Sequence, residues 1–214
     1  MINMVNRVSI AEVLREGFEA TKKNASTVLP LFVGAQAVVF ILSYVLNSSL
    51  NLLMIPVMLF MQMAIFRSFK SPISKFDVNE ILDLKNTSLK PTLWKLFVTN
   101  LIYVLLLILL FLLLIIPGII FLVYWYVFSS VVLDQHLSGM AALKKSKEMI
   151  TGNWWRTFAL FVIAALLSGL TTSLLTGMSE ENVFVGGLLM AVVSGIMSIY
   201  FGYVGVAYYF RLKK

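Results

Sequence analysis

The side chains that could do chemistry in this sequence are few. There is one histidine, His136, and no cysteine, which excludes disulfides, thiolate metal sites and cysteine nucleophiles. No HExxH pair, GxSxG elbow or phosphate-binding Walker loop occurs. Asp134 lies two residues before His136, and side chains at that spacing on one helix do not face each other. We therefore predict that the chain is not an enzyme and has no catalytic residue, metal site or cofactor.

The ionisable residues closest to apolar segments have simple explanations. Asp134 and His136 follow an apolar run, where an acid and an imidazole at the membrane surface are a simpler interpretation than a proton relay. Glu180 and Glu181 are adjacent, and we interpret them as a solvated acidic turn rather than as reacting carboxylates. No charged residue lies well inside an apolar run. This pattern weighs against an ion-coupled pump but leaves a facilitator open.

These polar residues are separated by apolar runs long enough to span a membrane. Hydrophobic residues make up 60% of the 214 residues and charged residues 13%, which is more apolar surface than a soluble core of this size can bury. A helix needs about 20 mostly apolar residues to cross a bilayer. The sequence predicts an all-α integral membrane protein that forms a single domain, residues 1–214. Its six transmembrane helices are predicted at about 27–46, 50–66, 96–116, 118–134, 155–175 and 183–210.

The third and fourth runs form one nearly unbroken apolar stretch, residues 96–133. As a single helix it would extend about 57 Å, almost twice the ~30 Å hydrocarbon core. The chain must therefore fold back within it. We predict the turn at Pro117-Gly118, because proline cannot donate to a continuing helix and glycine tolerates the turn that follows.

Charge gives an independent test of this division. With six crossings, all 17 Lys and Arg residues fall on one side of the membrane, and the turns on the other side (47–51, 117–118 and 177–182) contain none. Cytoplasmic loops are the ones rich in basic residues, so both termini are predicted to be cytoplasmic. The net charge of +7 then reflects topology and attraction to anionic lipids, not nucleic-acid binding.

Short amphipathic helices are predicted on the cytoplasmic side. Residues 9–23 begin with a capping-box spacing and carry apolar residues on one face, residues 138–150 offer Ser138 as a cap and Gly152 as a stop, and residues 77–85 show a weaker pattern. Such helices are typical of the membrane interface. The second of them and the residues after it supply the candidate contacts to lipid headgroups: Lys144, Lys145, Lys147, Trp154, Trp155 and Arg156.

The last helix carries small residues at helical spacing, which let two helix backbones approach closely. They form two ridges, one with Gly187, Ala191 and Gly195 and the other with Ser194, Ser198 and Gly202. The predicted packing face is Gly187, Ala191, Gly195, Ser198 and Gly202. Its partner could be a helix of the same chain, a second copy or another protein. Amides and hydroxyls elsewhere in the apolar runs are predicted to bond across helices rather than to line a substrate path.

One stretch resembles a known family. Pro117-Gly118 opens a helix, and it is followed by Gly-Met-Ala-Ala-Leu at 139–143, by Ser146 and by Gly-Asn-Trp-Trp at 152–155. Over residues 90–165 this pattern is similar to the membrane domain of the bacterial glycerophosphoryl diester phosphodiesterase family and of its uncharacterised stand-alone relatives. Enzymes of that family carry a separate catalytic barrel, for which this sequence has no room. The resemblance implies a location in the bacterial cytoplasmic membrane and the membrane part of that architecture without its active site.

Three functions are compatible with these features. We favour a non-catalytic membrane protein that binds lipids or a partner protein, because basic interfacial segments and a small-residue packing face are present while catalytic groups are absent. A small permease or the membrane subunit of an exporter is the alternative, since the number of helices allows it. Immunity against a membrane-active peptide is a further alternative without support from particular residues.

The topology predicts which residues a membrane-impermeant thiol reagent can reach. In intact cells, we expect the reagent to label Glu181→Cys, which would lie in an outer turn, and to leave Lys145→Cys unlabelled, because that residue would lie in the cytoplasm. The opposite labelling pattern would overturn the predicted topology.

Overall fold

The computed structural model describes residues 8–45, 54–70, 89–179 and 183–214, and all regular structure in these residues is α-helical. Residues 115–135 run as one span that a turn at 125–127 interrupts. The helices are α1 (Ile10–Val45), α2 (Met54–Lys70), α3 (Leu89–Leu113), α4 (Ile115–Tyr124), α5 (Phe128–Gln135), α6 (Gly139–Ile150), α7 (Trp154–Ser179) and α8 (Val183–Lys213).

Five helical stretches among the described residues are long and apolar enough to cross a membrane, which makes the chain a multi-pass membrane protein. They are Ile10–Val45, Pro91–Leu113, Ile115–Gln135, Trp154–Thr176 and Phe184–Lys213. The predicted crossing at 50–66 falls partly outside the described residues. Its described part, α2, has 17 residues and extends about 26 Å, slightly less than a hydrocarbon core. The sixth crossing therefore stays a prediction, and the amphipathic segment at 77–85 also lies outside the described residues.

Helix α1 corrects the division between an interfacial helix at 9–23 and a spanning helix at 27–46. The structure joins the two into one helix of 36 residues, because no glycine or proline lies between Gly17 and Pro30 to end it. The polar residues at the junction fit the helix: the Asn24 side-chain amide donates to the Ala20 carbonyl at 3.0 Å. Residues 10–23 thus continue the spanning helix rather than forming a separate one.

The chain folds back between α3 and α4, but the turn lies at Leu114 and not at Pro117-Gly118. Leu114 has an extended backbone (φ −158°, ψ 129°), and Pro117 is the third residue of α4, where a helix has no partner for the missing N–H. The glycine serves close packing instead of the turn. A Cβ at Gly118 would lie 2.8 Å from the ring of Phe111 on α3.

The span formed by α4 and α5 is interrupted at 125–127 without any glycine or proline. The Phe128 N–H donates to the Trp125 carbonyl at 3.2 Å instead of to the Tyr124 carbonyl, as a continuous α-helix would require. The Tyr124 carbonyl accepts a bond from the Ser146 hydroxyl of α6 at 2.9 Å. Aromatic packing accompanies the break, because Trp125 is buried among Tyr103 and Phe121. A side chain of another helix thus satisfies the carbonyl that the break leaves free.

Helices α1 and α8 form an antiparallel pair along nearly their whole length. At one end Arg211 pairs with Glu16, and at the other end the rings of Tyr44 and Phe184 meet at 5.1 Å between centroids. Between these contacts, Gly17 lies directly against the backbone of α8. A Cβ at Gly17 would be 3.1 Å from both the Cα and the N of Val204. A glycine is therefore what lets the two backbones approach.

Packing is dense at one end of the bundle and loose at the other. We call the dense end the charged end, because it carries the ion pairs of Lys70, Asp134 and Arg211; the fully buried tyrosines 203 and 208 of α8 belong to it. The opposite end consists of apolar side chains that the protein does not cover, such as Leu112 (81% exposed) and Leu174 (71% exposed). In a bilayer, lipid is the solvent of these side chains.

The close approach of α1 and α8 predicts a contrast between two glycines of one helix. Gly17→Ala should destabilise the protein by about 1–3 kcal/mol, because the new methyl group would press on a backbone that cannot yield. Gly34→Ala should be neutral or stabilising by up to about 1 kcal/mol, since nothing lies within 4 Å of a Cβ at Gly34 and alanine favours the helix. Thermal unfolding of both variants in detergent measures the difference; equal midpoints would contradict the close approach.

Candidate functional site

The charged end is organised around the carboxylate of Asp134. Its side chain is only 5% exposed, and its two oxygens lie 2.5 Å from the ammonium groups of Lys70 and Lys213. The hydroxyl of Tyr209 donates to the same carboxylate at 2.8 Å. One acidic residue of α5 therefore holds α2 and α8 by charge-assisted hydrogen bonds.

Further polar ties join the remaining helices at this end. The guanidinium of Arg211 on α8 pairs with Glu12 and Glu16 of α1. Arg156 of α7 donates to the Val8 carbonyl at 2.7 Å, and Lys95 of α3 donates to the His136 carbonyl at 2.9 Å. Charged side chains from separate parts of the sequence thus meet at one end of the bundle.

Three tyrosines of α8 each bond to a different helix, and sequence reasoning missed all three. The hydroxyl of Tyr203 lies 2.6 Å from that of Ser68 on α2, the hydroxyl of Tyr208 lies 2.8 Å from that of Thr157 on α7, and Tyr209 donates to Asp134 of α5. A buried tyrosine needs such a partner for its hydroxyl. Three tyrosines within seven residues, next to the basic end of the last apolar run, were the available signal.

Asp134 and His136 are not on one helix, as the sequence argument had assumed. Helix α5 ends at Gln135, and His136 follows it with a left-handed backbone (φ 56°). The imidazole is exposed, whereas the carboxylate is occupied by two lysines and a tyrosine. Among the described residues, no group of three or more His, Asp or Glu side chains could hold a metal ion.

Helix α6 covers its apolar face with protein rather than with lipid. Ala142, Leu143 and Ile150 are buried against the neighbouring helices. The N-terminal cap is not Ser138, whose side chain makes no capping bond; instead the hydroxyl of Thr99 on α3 accepts the Gly139 N–H at 2.8 Å. The helix is followed at its C-terminal end by Gly152 in a left-handed conformation (φ 92°). Its position against α3 is therefore fixed by a cap from another helix.

The six candidate headgroup contacts divide into two groups. Lys144, Lys147 and Trp155 are exposed, and the ammonium of Lys147 also lies 5.4 Å from the ring centroid of Phe121. The other three make contacts within the protein: Lys145 pairs with Glu148 at 3.1 Å, the indole N–H of Trp154 donates to the Ile120 carbonyl at 3.4 Å, and Arg156 donates to the Val8 carbonyl.

The small residues of α8 face two different neighbours. A Cβ at Gly187 would collide with the ring of Phe40, and one at Gly195 would lie 2.8 Å from Gln36 Oε1; both neighbours are on α1. A Cβ at Gly202 would lie 2.5 Å from Ile65 of α2. These three glycines thus pack against helices of the same chain. The remaining two members of the predicted face, Ala191 and Ser198, line a cavity.

This cavity, which we call the groove, has a volume of about 790 Å³ and separates α7 from α8. A hydrogen bond between Thr157 and Tyr208 joins the two helices near the charged end, and the groove lies between residues 161–175 of α7 and 187–201 of α8. The ring of Phe40 on α1 forms part of the wall. The groove is lined by Phe40, Phe161, Ala164, Ala165, Ser168, Thr171, Thr172, Leu175, Gly187, Met190, Ala191, Ser194, Met197, Ser198 and Phe201.

Two of the five hydroxyl-bearing side chains that line the groove donate within their own helices. Thr171 donates to the Leu167 carbonyl of its own helix at 2.8 Å, and Ser194 donates to the Ala191 carbonyl at 3.1 Å. Such bonds satisfy the hydroxyl within its helix. The sequence had predicted bonds across helices instead. For the groove hydroxyls of Thr171 and Ser194, the structure shows one such contact, a long one of 3.5 Å between Ser194 and Gln36. The groove is therefore suited to an apolar occupant.

The Asp134 cluster predicts a large effect from one isosteric change. Asp134→Asn should destabilise the protein by about 1–3 kcal/mol, because it removes two charge-assisted bonds at a buried position. Glu148→Gln is the control, since that carboxylate is 67% exposed and pairs with the neighbouring Lys145 on the same helix; we expect less than about 0.5 kcal/mol. Thermal unfolding in detergent measures both variants. If the unfolding midpoint of Asp134→Asn falls no further than that of Glu148→Gln, the cluster does not have this role.

Comparison with known proteins gives no relative: no family model, no curated protein and no solved structure matches the chain. The resemblance to the membrane domain of the glycerophosphoryl diester phosphodiesterase family therefore stays a prediction. The sequence and structure support a multi-helix apolar protein that spans a membrane several times.

Proposed function

We propose that this protein is a non-catalytic membrane protein that binds the acyl chain of a membrane lipid in the groove between α7 and α8. The observation that carries the proposal is the groove itself, a space of about 790 Å³ between two spanning helices. This volume is within the range of ordinary ligand sites. The surrounding solvent is lipid, so an acyl chain is the occupant present at the highest concentration.

The shape of the groove suits a chain. Its lining on α8 extends from Gly187 to Phe201, a length of about 21 Å along the helix. Small side chains such as Ala164, Ala191 and Ser198 line it on both helices, which leaves space for a methylene chain to lie against them. Since lipid tails are as apolar as the lining, packing and not the hydrophobic effect has to favour the bound chain.

The surface at the charged end supports a position in an anionic bilayer. Lys144, Lys147 and Trp155 are exposed there, and each basic residue near an anionic membrane surface contributes about 1 kcal/mol. With six crossings and both termini in the cytoplasm of a bacterium, these residues would face the inner leaflet of the cytoplasmic membrane. The proposed topology follows from the one-sided placement of basic residues.

The use of polar groups supports a binding role over a catalytic one. Hydrolysis requires an activated nucleophile with a base or a metal that holds water. Asp134 is engaged by Lys70 and Lys213, and we assign it to holding helices together. The resemblance to the membrane domain of a phosphodiesterase family agrees with this role, since that domain is not the catalytic part.

A transport component is the second candidate, and the interruption at 125–127 favours it. Transporters commonly use broken spanning helices whose free backbone groups line a substrate site. Here the Tyr124 carbonyl is already taken by Ser146, so this backbone group is not available to a substrate. Binding therefore remains the function that we propose first.

Photocrosslinking tests the proposal. The purified protein in detergent would be exposed to a substoichiometric amount of phosphatidylglycerol with a diazirine in its acyl chain, and adducts would be mapped by mass spectrometry. We expect adducts on the groove-lining faces of α7 and α8. Ala191→Phe should reduce them about fivefold, equivalent to about 1 kcal/mol, because the ring would fill the groove.

The matched control is Leu105→Phe, which adds a ring at a residue of α3 that is 58% exposed and far from the groove lining. Adducts in the groove should be unchanged in this variant. If adducts are spread evenly over exposed apolar surface, or if Ala191→Phe leaves them unchanged, the groove does not select a chain and the proposal fails.

A further inference from the structure

A second cavity, which we call the polar pocket, lies where α2, α5 and α8 meet. Its volume is about 200 Å³, the space of about six water molecules. It is smaller than the groove, and its lining contains a side-chain amide, that of Gln62, beside three hydroxyls, whereas the polar side chains that line the groove are all hydroxyls. The lining residues are Met61, Gln62, Ile65, Tyr126, Ser129, Ser130, Leu133, Phe201, Gly202, Gly205 and Val206.

The polar groups of this pocket are uncharged and incompletely bonded. The side-chain oxygen of Gln62 is buried and has no hydrogen-bond partner among the described residues. Buried polar atoms are nearly always paired, since leaving one without a partner costs free energy. The hydroxyl-bearing residues Tyr126, Ser129 and Ser130 line the same small space. The pocket therefore offers hydrogen bonds to a ligand that can donate to an amide oxygen.

The two cavities follow one another along α8. The groove is lined from Gly187 to Phe201 and the polar pocket from Phe201 to Val206, so Phe201 is a wall of both. Beyond the pocket, α8 reaches the charged end at Arg211. Along α8 an apolar space is thus followed by a polar space and then by a charged surface. An amphiphile in a bilayer has the same order of parts: its acyl chain, its head and the water beyond it.

The second small-residue ridge of α8 borders both cavities. Ser194 and Ser198 line the groove, and Gly202 lines the polar pocket. A Cβ at Gly202 would lie 2.5 Å from Ile65, so any larger residue would displace that side chain. The ring of Phe201 lines both cavities, and a ligand that occupies both would have to contact it.

From this order we propose that the polar pocket binds the uncharged, hydroxyl-bearing head of an acylglycerol whose chain lies in the groove. The proposal rests on the proposed function and names the class of lipid. A phosphate-bearing head fits poorly, because none of the basic residues that the structure describes lines the pocket and the two lysines bonded to Asp134 are already paired. A glycerol head, in contrast, donates to the oxygen of Gln62 and accepts from the pocket hydroxyls.

Competition between ligands tests the head site separately from the chain site. The diazirine lipid would be displaced from the purified protein by 1-monooleoylglycerol, by methyl oleate, which has the same chain without hydroxyls, and by oleoyl lysophosphatidylglycerol, which carries a charged phosphate. We expect monooleoylglycerol to compete about three- to tenfold better than the other two, the factor expected for one net hydrogen bond.

Variants of the lining residues test whether the preference for monooleoylglycerol depends on the polar pocket. Gln62→Leu should abolish the advantage of monooleoylglycerol while leaving competition by methyl oleate unchanged, which also shows that the variant is folded. Ser129→Ala serves as a second variant in case Gln62→Leu does not fold, and it should reduce the same advantage. Ala191→Phe should weaken all three competitors, because each needs the groove for its chain.

The outcomes separate the two proposals. If monooleoylglycerol and methyl oleate compete equally in the wild type, the pocket holds only water and the head site is refuted while chain binding stands. If the lysophospholipid competes best, the head site is refuted in favour of a charged head. If none of the three displaces the diazirine lipid from the groove, the proposed function itself fails.

Discussion

Helix α8 holds this molecule together because its charged end bonds to four other helices. The hydroxyls of Tyr203 and Tyr208 bond to α2 and α7, Tyr209 and Lys213 bond to Asp134 of α5, and Arg211 pairs with α1. In lipid, helices gain little from burying apolar surface against each other, so hydrogen bonds and close backbone contact have to hold them. The rest of the architecture follows from this: where the bonds exist the bundle is dense, and where they end the helices separate and leave the groove.

The sequence was informative wherever composition and length decide the outcome. Apolar runs predicted the long helices, Gly152 was correctly placed after α6, and the excess length of residues 96–133 required the chain to fold back. Two details were predicted wrongly. The turn lies at Leu114 and not at Pro117-Gly118, because Pro117 fits the first turn of a helix. The cap of α6 comes from Thr99, a residue of another helix that is 40 positions away in sequence.

The candidate site shows the same division. Small residues on α8 were recognised from their spacing, but spacing does not reveal whether a neighbour fills the space beside them. Gly195 has a side chain of α1 against it, whereas Ala191 faces an open groove. Asp134 was interpreted as an interfacial acid, since one sequence does not show that Lys70 and Lys213 reach it from other helices. The polar pocket depends on three helices at once and had no signature in sequence beyond isolated polar residues such as Gln62.

The pairing of α1 with α8 has a consequence for biosynthesis. Arg211 meets Glu16 across 195 positions of sequence, and closing a loop of that length has an entropic cost that local helix pairs avoid. During synthesis α1 enters the bilayer well before α8 exists, so its contact face around Gly17 has to wait among lipids, other helices or insertion factors. Helices α3 to α6 can pack as a local unit in the meantime. The last helix to emerge thus completes the bundle, and α1 stays without its main partner until that moment.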